Sequence, residues 1–440
     1  MRILLTLTLA FGLSGSSFAA DVIGWRVNGS GRFPGATPLT EWSADKNIEW
    51  KAPLPGNRYA SPVLVGDRIF VTSDPDDLFC ISLADGSVLW QQKLSPVEVL
   101  GKEAAAEATA KFNDPVTRDK QIRNQYKKLE KDDRKREALV EESKKLKTQL
   151  NELKLRLPIG RARSSNACGT PLCDGERLFV TMGTGIVGAF KLDGTKLWSR
   201  FVEGCSLGFG HSNTAVLIDG KLIVNFRNLI ALDAATGKEL WRQEIRPRYA
   251  SPVAVQIGGE SILIHPSGLA IRSKDGTQAG KLGLNTSEST PVLNGNVLFA
   301  HSKGSLRAIR LPAELTDDAQ FEQLWNVTSA RDRRTPSRVY HNGLLYNTTT
   351  SGLMDVVHME TGEIAYRKRL GLKRVYSSLS VEGDYVFACS TDGTTVVFKT
   401  GPEYEEVTRN ELESCGSCLV FNDNRLLMRA RSHLYSIRSK

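Results

Sequence analysis

Cys415-Gly416-Ser417-Cys418 has the C-x-x-C spacing of redox pairs and zinc knuckles. No βαβ unit surrounds it, so thioredoxin-type chemistry has no scaffold here. Four thiolates could bind zinc, but the remaining cysteines give no second pair of matching spacing. Disulfides are the simpler reading, Cys168 with Cys205 and Cys415 with Cys418, leaving Cys173 further down a strand. Cys80 and Cys389 sit in strand-like runs and read as small buried apolar residues.

A second set of residues could bind anions. Arg58-Tyr59-Ala60-Ser61-Pro62-Val63 recurs letter for letter as Arg248-Tyr249-Ala250-Ser251-Pro252-Val253. The arginine slot aligns with His211, with Arg334 and, allowing a one-residue offset, with Arg374. Converging guanidiniums would favour carboxylate or phosphate groups, or an acidic peptide. The alternative is that each arginine pairs with a neighbouring carboxylate or carbonyl and only fixes its loop. No G-x-S-x-G elbow, H-E-x-x-H helix or Walker loop occurs, and the six histidines show no ligand-like spacing. No catalytic residue and no metal ligand is therefore assigned.

The elements that must position these residues are repeats. Asp85-Gly86-Ser87-Val88-Leu89-Trp90 returns as Asp193-Gly194-Thr195-Lys196-Leu197-Trp198 and as Thr236-Gly237-Lys238-Glu239-Leu240-Trp241. Each follows a β-rich run, and repeats of about 40 residues with several short strands predict a propeller. Repeats begin at Ser61, Gly169, Thr214, Ser251, Thr290, Ser337, Ser377 and Cys418. The unit from Cys418 has room for three strands, while Asn47–Leu54 matches the Trp-containing outer strand with none before it. The N-terminal strand should close the last blade, leaving no open edge. This predicts an all-β, eight-bladed propeller of four-stranded antiparallel blades, with seven blades as the alternative.

Trp50, Trp90, Trp198, Trp241 and Trp325 occupy the outer-strand slot, with Tyr366 in the sixth repeat, and should plug the gaps between blades. Only Trp25 and Trp42 remain, both in the lead-in 21–46. The propeller residues are 47–96 and 158–440. Between them, 97–157 is rich in Ala, Glu, Lys, Leu and Gln, which predicts helix. Asp114-Pro115 reads as a break and restart. The expected form is a helical hairpin with coiled-coil-like spacing, Val97–Lys111 against a helix from Pro115 to about Arg156. It leaves from a link between blades, on the face where the central channel opens. A lid, an arm for a partner and a solvated excursion are all compatible with that position.

The chain has 440 residues, a formal net charge of +9 and a globular apolar content of 40%. That charge favours anionic partners weakly and does not indicate nucleic acid. Residues 1–20 read as a signal peptide: Arg2, an apolar run Ile3–Leu13, and Ser17-Phe18-Ala19 before the cut. No later segment is apolar enough to span a membrane. The expected location is exported, periplasmic or extracellular.

Ala231-Leu232-Asp233-Ala234-Ala235-Thr236-Gly237-Lys238-Glu239-Leu240-Trp241 resembles the pyrroloquinoline-quinone (PQQ)-like propeller repeat. The lead-in Trp42-Ser43 with Asn47-Ile48-Glu49-Trp50-Lys51, Leu54-Pro55-Gly56 and Ser61-Pro62-Val63 resembles exported propellers of planctomycete type. Two branches share the repeat. One resembles BamB, a cofactor-free propeller that binds partner proteins; the other comprises quinoprotein dehydrogenases holding PQQ and calcium. The sequence lacks the adjacent Cys-Cys of the alcohol-oxidising enzymes, offers no calcium triad, and leaves no propeller Trp for stacking a quinone. It also lacks a lipidated Cys near the predicted cut. The resemblance implies an exported, non-catalytic scaffold that binds a protein partner or an anionic ligand at the funnel face, with a PQQ- and calcium-dependent dehydrogenase as the alternative.

Overall fold

The computed structural model describes residues 21–439 except 22, 36, 57, 58, 132, 160–164, 287, 303, 317–320, 331 and 333–335. The signal-peptide reading falls on 1–20, outside the described residues. Eight four-stranded antiparallel sheets form the blades. Their strands lie within 63–93, 172–201, 216–243, 253–281, 292–328, 339–369 and 380–411, and the last combines 420–438 with 48–53. The strand Ile48–Pro53 pairs antiparallel with His433–Arg438, placing Ala52 opposite Leu434. Glu49 fastens this closure by accepting from Arg425 at 2.8 and 2.9 Å and from Ser436 at 2.8 Å. The ring therefore has eight blades, not seven, and is shut by the N-terminal strand.

Core side chains come from the three inner strands and interdigitate between neighbouring blades. Phe70, Leu78 and Cys80 of the first blade pack with Leu178, Val180 and Phe190 of the second. The outer strands are half-exposed, and their aromatic residues bridge the blades. Trp50, Trp90, Trp198, Trp241 and Trp325 each donate Nε1–H to a carbonyl of the next blade, at 2.8–3.1 Å. Each indole also rests on the glycine of that blade's outer turn. A Cβ added at Gly86, Gly237, Gly276 or Gly362 would stand 2.6–2.7 Å from the ring of Trp50, Trp198, Trp241 or Trp325. That glycine also adopts φ of +71 to +78° at these positions, where a side chain is strained. The recurrent Gly and Trp are thus two halves of one inter-blade contact. In the sixth blade Tyr366 packs on Tyr404 of the seventh, centroids 6.3 Å apart, without the carbonyl bond that the indoles make.

The insertion forms three helices: α1 (Pro96–Leu100), α2 (Lys102–Lys128) and α3 (Lys135–Arg156). Pro115 lies inside α2 and does not start a helix. A mid-helix proline costs about 3 kcal/mol; burial of the apolar Phe112, Pro115 and Ile122 offsets it. Asp119 accepts from Ser143 of α3 at 2.6 Å, and Arg118 pairs with Glu142 at 2.7 Å. The reversal falls between α2 and α3, where Asp133 accepts from the Lys135 amide at 2.8 Å.

Residues of the lead-in cross the central channel. The Ile23 carbonyl accepts from Cys173 N of the second blade at 2.7 Å. Three residues on, Arg26 donates to the Arg338 and Leu379 carbonyls, beside the inner strands of the sixth and seventh blades, both at 2.8 Å. The chain then runs along the face opposite the links: Gly31 O accepts from Val381 N, and Thr37 N donates to Asp423 O. Trp42 is buried, its amide donating to Asn410 at 2.9 Å.

Candidate functional site: a blind funnel with two tiers

A cavity of about 460 Å³ opens on the face where the inter-blade links run. Most of its wall falls in two tiers spaced two residues apart along the links, with Phe209, Gly210 and Pro336 between or beyond them. The lower tier is a belt of small polar residues just before the inner strands of seven blades: Ser61, Thr170, Ser251, Thr290, Ser337 and Ser378, with Cys418 in the eighth blade. Two residues earlier in each link, the upper tier presents Tyr59, Cys168, Ser212, Tyr249, Glu288 and Tyr376, with Gly416 in the eighth blade. Phe209 and Tyr376 at the rim are each 43% exposed. Trp25 of the crossing lead-in forms part of the floor, with the Arg26 guanidinium 5.1 Å from its ring centroid on a fully buried side chain.

The belt ties blades together. Backbone amides of Cys418, Ser61, Thr214, Ser251, Thr290 and Ser337 donate to the hydroxyls of Ser61, Thr170, Ser251, Thr290, Ser337 and Ser378 respectively, at 2.8–3.3 Å. Each link joins one blade to the next. The sequence carried part of this signal, because four of the belt's hydroxyl residues, Ser61, Ser251, Thr290 and Ser337, are also repeat starts.

Of the five residues expected at the funnel mouth the structure describes His211, Arg248 and Arg374, and of these three Arg374 lines the cavity. Arg248 stands three residues before Ser251, an odd offset. Its neighbour Tyr249 faces the cavity, whereas Arg248 reaches sideways to Asn285 at 3.2 Å. His211, also at an odd offset, is buried and stacked on Phe226 with centroids 4.2 Å apart. Burial pushes its pKa down to about 3, so it is neutral at pH 7. Arg374, displaced by one residue in the alignment, has the even offset and does line the cavity. Arg58 and Arg334 lie outside the described residues.

The cysteine expectations are corrected too. All seven thiols are free, so neither the Cys168–Cys205 nor the Cys415–Cys418 bridge is present. Cys168 donates to Ser165 O at 3.2 Å, while Cys205 lies 3.9 Å from the His211 ring nitrogen. Cys415 points into the eighth blade, donating to Arg429 O at 3.3 Å, while Cys418 faces the funnel. Its neighbour Cys389 has its pKa raised by the hydrogen bond with Cys415 and by burial.

Trp25 of the lead-in brings an indole to the cavity, although the outer-strand tryptophans leave none there. The quinone–calcium pair nevertheless finds poor support. Calcium takes six to eight oxygens, usually with several carboxylates, and Glu288 is the sole carboxylate among the described lining residues. No group of three or more His, Cys, Asp or Glu suited to a metal occurs among the described residues.

The arm borders this site. Gly204 N donates to Leu155 O near the end of α3 at 3.0 Å. A second cavity of about 240 Å³ runs from Asn151, Lys154 and Leu155 to Ser206, Leu207 and Gly210, and Gly210 lines the funnel as well. A Cβ at Gly204 would stand 1.7 Å from Lys154 O, so only glycine admits this docking.

Comparison with known proteins places this geometry. BamB from Moraxella catarrhalis is similar at 14% identity over 89% of this chain and 98% of its own, with a TM-score of 0.57. The computationally designed Ika8 protein is similar at 10% identity, over 89% and 100%, with a TM-score of 0.56. Quinohemoprotein alcohol dehydrogenase from Comamonas testosteroni is similar at 11% identity, over 95% and 80%, with a TM-score of 0.59. At such identities the likeness is one of fold. No curated protein sequence matches. A family model described as outer membrane protein assembly factor BamB matches residues 25–134 and 160–311, more than half of the chain. The chain belongs to that family.

Proposed function

We propose that this protein is an exported, non-catalytic scaffold of the envelope that binds a protein partner across the funnel rim and the root of the helical arm. One observation carries the reading: Phe209 and Tyr376 are large rim aromatics left 43% exposed to water, beside an arm that shares Gly210 between its own cavity and the funnel. Exposed aromatics clustered around a concavity are typical anchors of protein interfaces. The pinning of α3 through Gly204 holds arm and rim as one surface, which lowers the ordering cost of binding. The name of the family supports a partner in outer-membrane protein assembly. No helix among the described residues is long and apolar enough to cross a membrane.

The test is a photo-crosslinking residue placed at Phe209, at Tyr376 and, as a control, at Leu240, which is exposed on an outer strand. The reading expects the same protein adduct at the two rim positions and none at Leu240. It also expects the adduct to weaken when 97–157 is replaced by a short linker. Equal adducts at all three positions, or none at the rim, would refute it.

A further inference from the structure

The floor of the funnel has a chemistry of its own. Ser61, Thr170, Ser251, Thr290, Ser337 and Ser378 are each more than nine-tenths buried and line the cavity. Each hydroxyl oxygen already accepts a backbone N–H. None of their O–H protons has an acceptor among the described residues. The belt therefore offers donors to whatever enters, and one lone pair on each oxygen is already engaged. Beneath it lie two fully buried guanidiniums, Arg26 and Arg338. Arg26 donates only to carbonyls, and Arg338 to carbonyls and the Ser289 hydroxyl. Neither has a carboxylate partner among the described residues. Burial lowers the pKa of Arg26 to about 10 and of Arg338 to about 9, so both remain cations at pH 7. Arg26 is close enough to feel Cys418, a lining residue. Positive charge without a counter-ion, under a ring of donors, favours an oxyanion at the floor.

Shape narrows the choice of ligand. The lead-in crosses from the second blade to the sixth and seventh below the cavity. The funnel is therefore blind and admits an end, not a segment that passes through. Above the belt stand Tyr59, Tyr249 and Tyr376, with Phe209 at the rim, surfaces suited to apolar side chains.

We propose that the funnel captures the free C-terminus of a partner polypeptide, its α-carboxylate on the hydroxyl belt and its last apolar side chains among the tier of aromatics. This rests on the partner-scaffold reading and names the part of the partner that is held. No covalent step is involved.

The experiment needs no knowledge of the partner. Short synthetic peptides ending in Val-Leu, one with a free carboxylate and one C-terminally amidated, are titrated into the full mature protein by calorimetry, with phenylacetate as a small-acid arm. The free acid should bind about tenfold or more tighter than the amide, the size of a lost hydrogen bond to a charged group. Phenylacetate should bind more weakly than the free-acid peptide. Thr290→Val with Ser251→Ala should erase the preference for the acid, while Thr290→Ser should keep it, with thermal melts confirming that each variant folds. Equal binding of acid and amide, retention of the preference in the double variant, or no peptide binding would overturn the proposal. Phenylacetate binding as tightly as the peptide would overturn the polypeptide part in favour of a small acid. Rim crosslinks to a partner would stand in any of these cases, so failure here is separable from failure of the scaffold reading.

Discussion

The outer and inner edges of the same blades follow different rules. At the outer edge five blades repeat one contact, an indole laid on the next blade's turn glycine and bonded to its carbonyl. At the inner edge the lower tier repeats small hydroxyls, but two residues away the blades diverge into tyrosine, cysteine, serine and glutamate. Repetition marks what every blade needs in order to pack on its neighbour. Divergence is confined to the tier that faces the opening, where blades have no packing reason to agree. Function is thus best sought where a repeat departs from itself at positions of inward parity.

The strongest way to break this contrast is at the outer edge. Gly237→Val should collide with Trp198, whose ring would lie 2.6 Å from the new Cβ, at a φ of +71°. A loss of about 3 kcal/mol is expected, read by chemical denaturation; a loss below about 1 kcal/mol would show that the contact is not structural. A second probe is acid. Burial pushes His211 and His265 down to about 3 and His301 to about 4. Folded pKa values below the unfolded one mean that these rings add no penalty above about pH 6.5 and that stability falls as pH drops from there towards 3. His211→Phe, able to keep the stack on Phe226, should flatten part of the fall in Tm between pH 7 and 4. An unchanged pH profile would contradict the buried neutral assignment.

Effects should shrink towards the funnel. Thr290→Val leaves the Ser251 amide without its 3.0 Å acceptor, and a loss of about 1–2 kcal/mol is expected from thermal melts. Tyr376→Ala, at an exposed position, should change stability by about 0.5 kcal/mol or less yet weaken the rim crosslink. A large stability loss there would make the upper tier structural and dissolve the contrast.

Much of this was legible in the sequence because packing repeats. The Gly-Trp pairs announced the outer contacts, and Asn47–Leu54 announced its role by matching an outer strand with no blade before it. The funnel was less legible. Arginines were aligned by residue type, but in the fourth blade it is Tyr249 that lines the cavity while Arg248 turns to Asn285. The lead-in has no repeat to betray it, and nothing local signals that Trp25 and Arg26 cross the channel. Pro115 signalled a helix start because local rules place proline there, and burial of α2 against its surroundings overrode them.

The central claim is that inward parity at the funnel selects the partner. The direct measurement is the affinity of the crosslinked partner, once purified, for Tyr249→Ala and for Arg248→Ala, side chains adjacent in sequence and opposite in facing. The account predicts that Tyr249→Ala weakens binding about tenfold or more, with Arg248→Ala close to the unaltered protein. Loss at Arg248 with none at Tyr249 would contradict it.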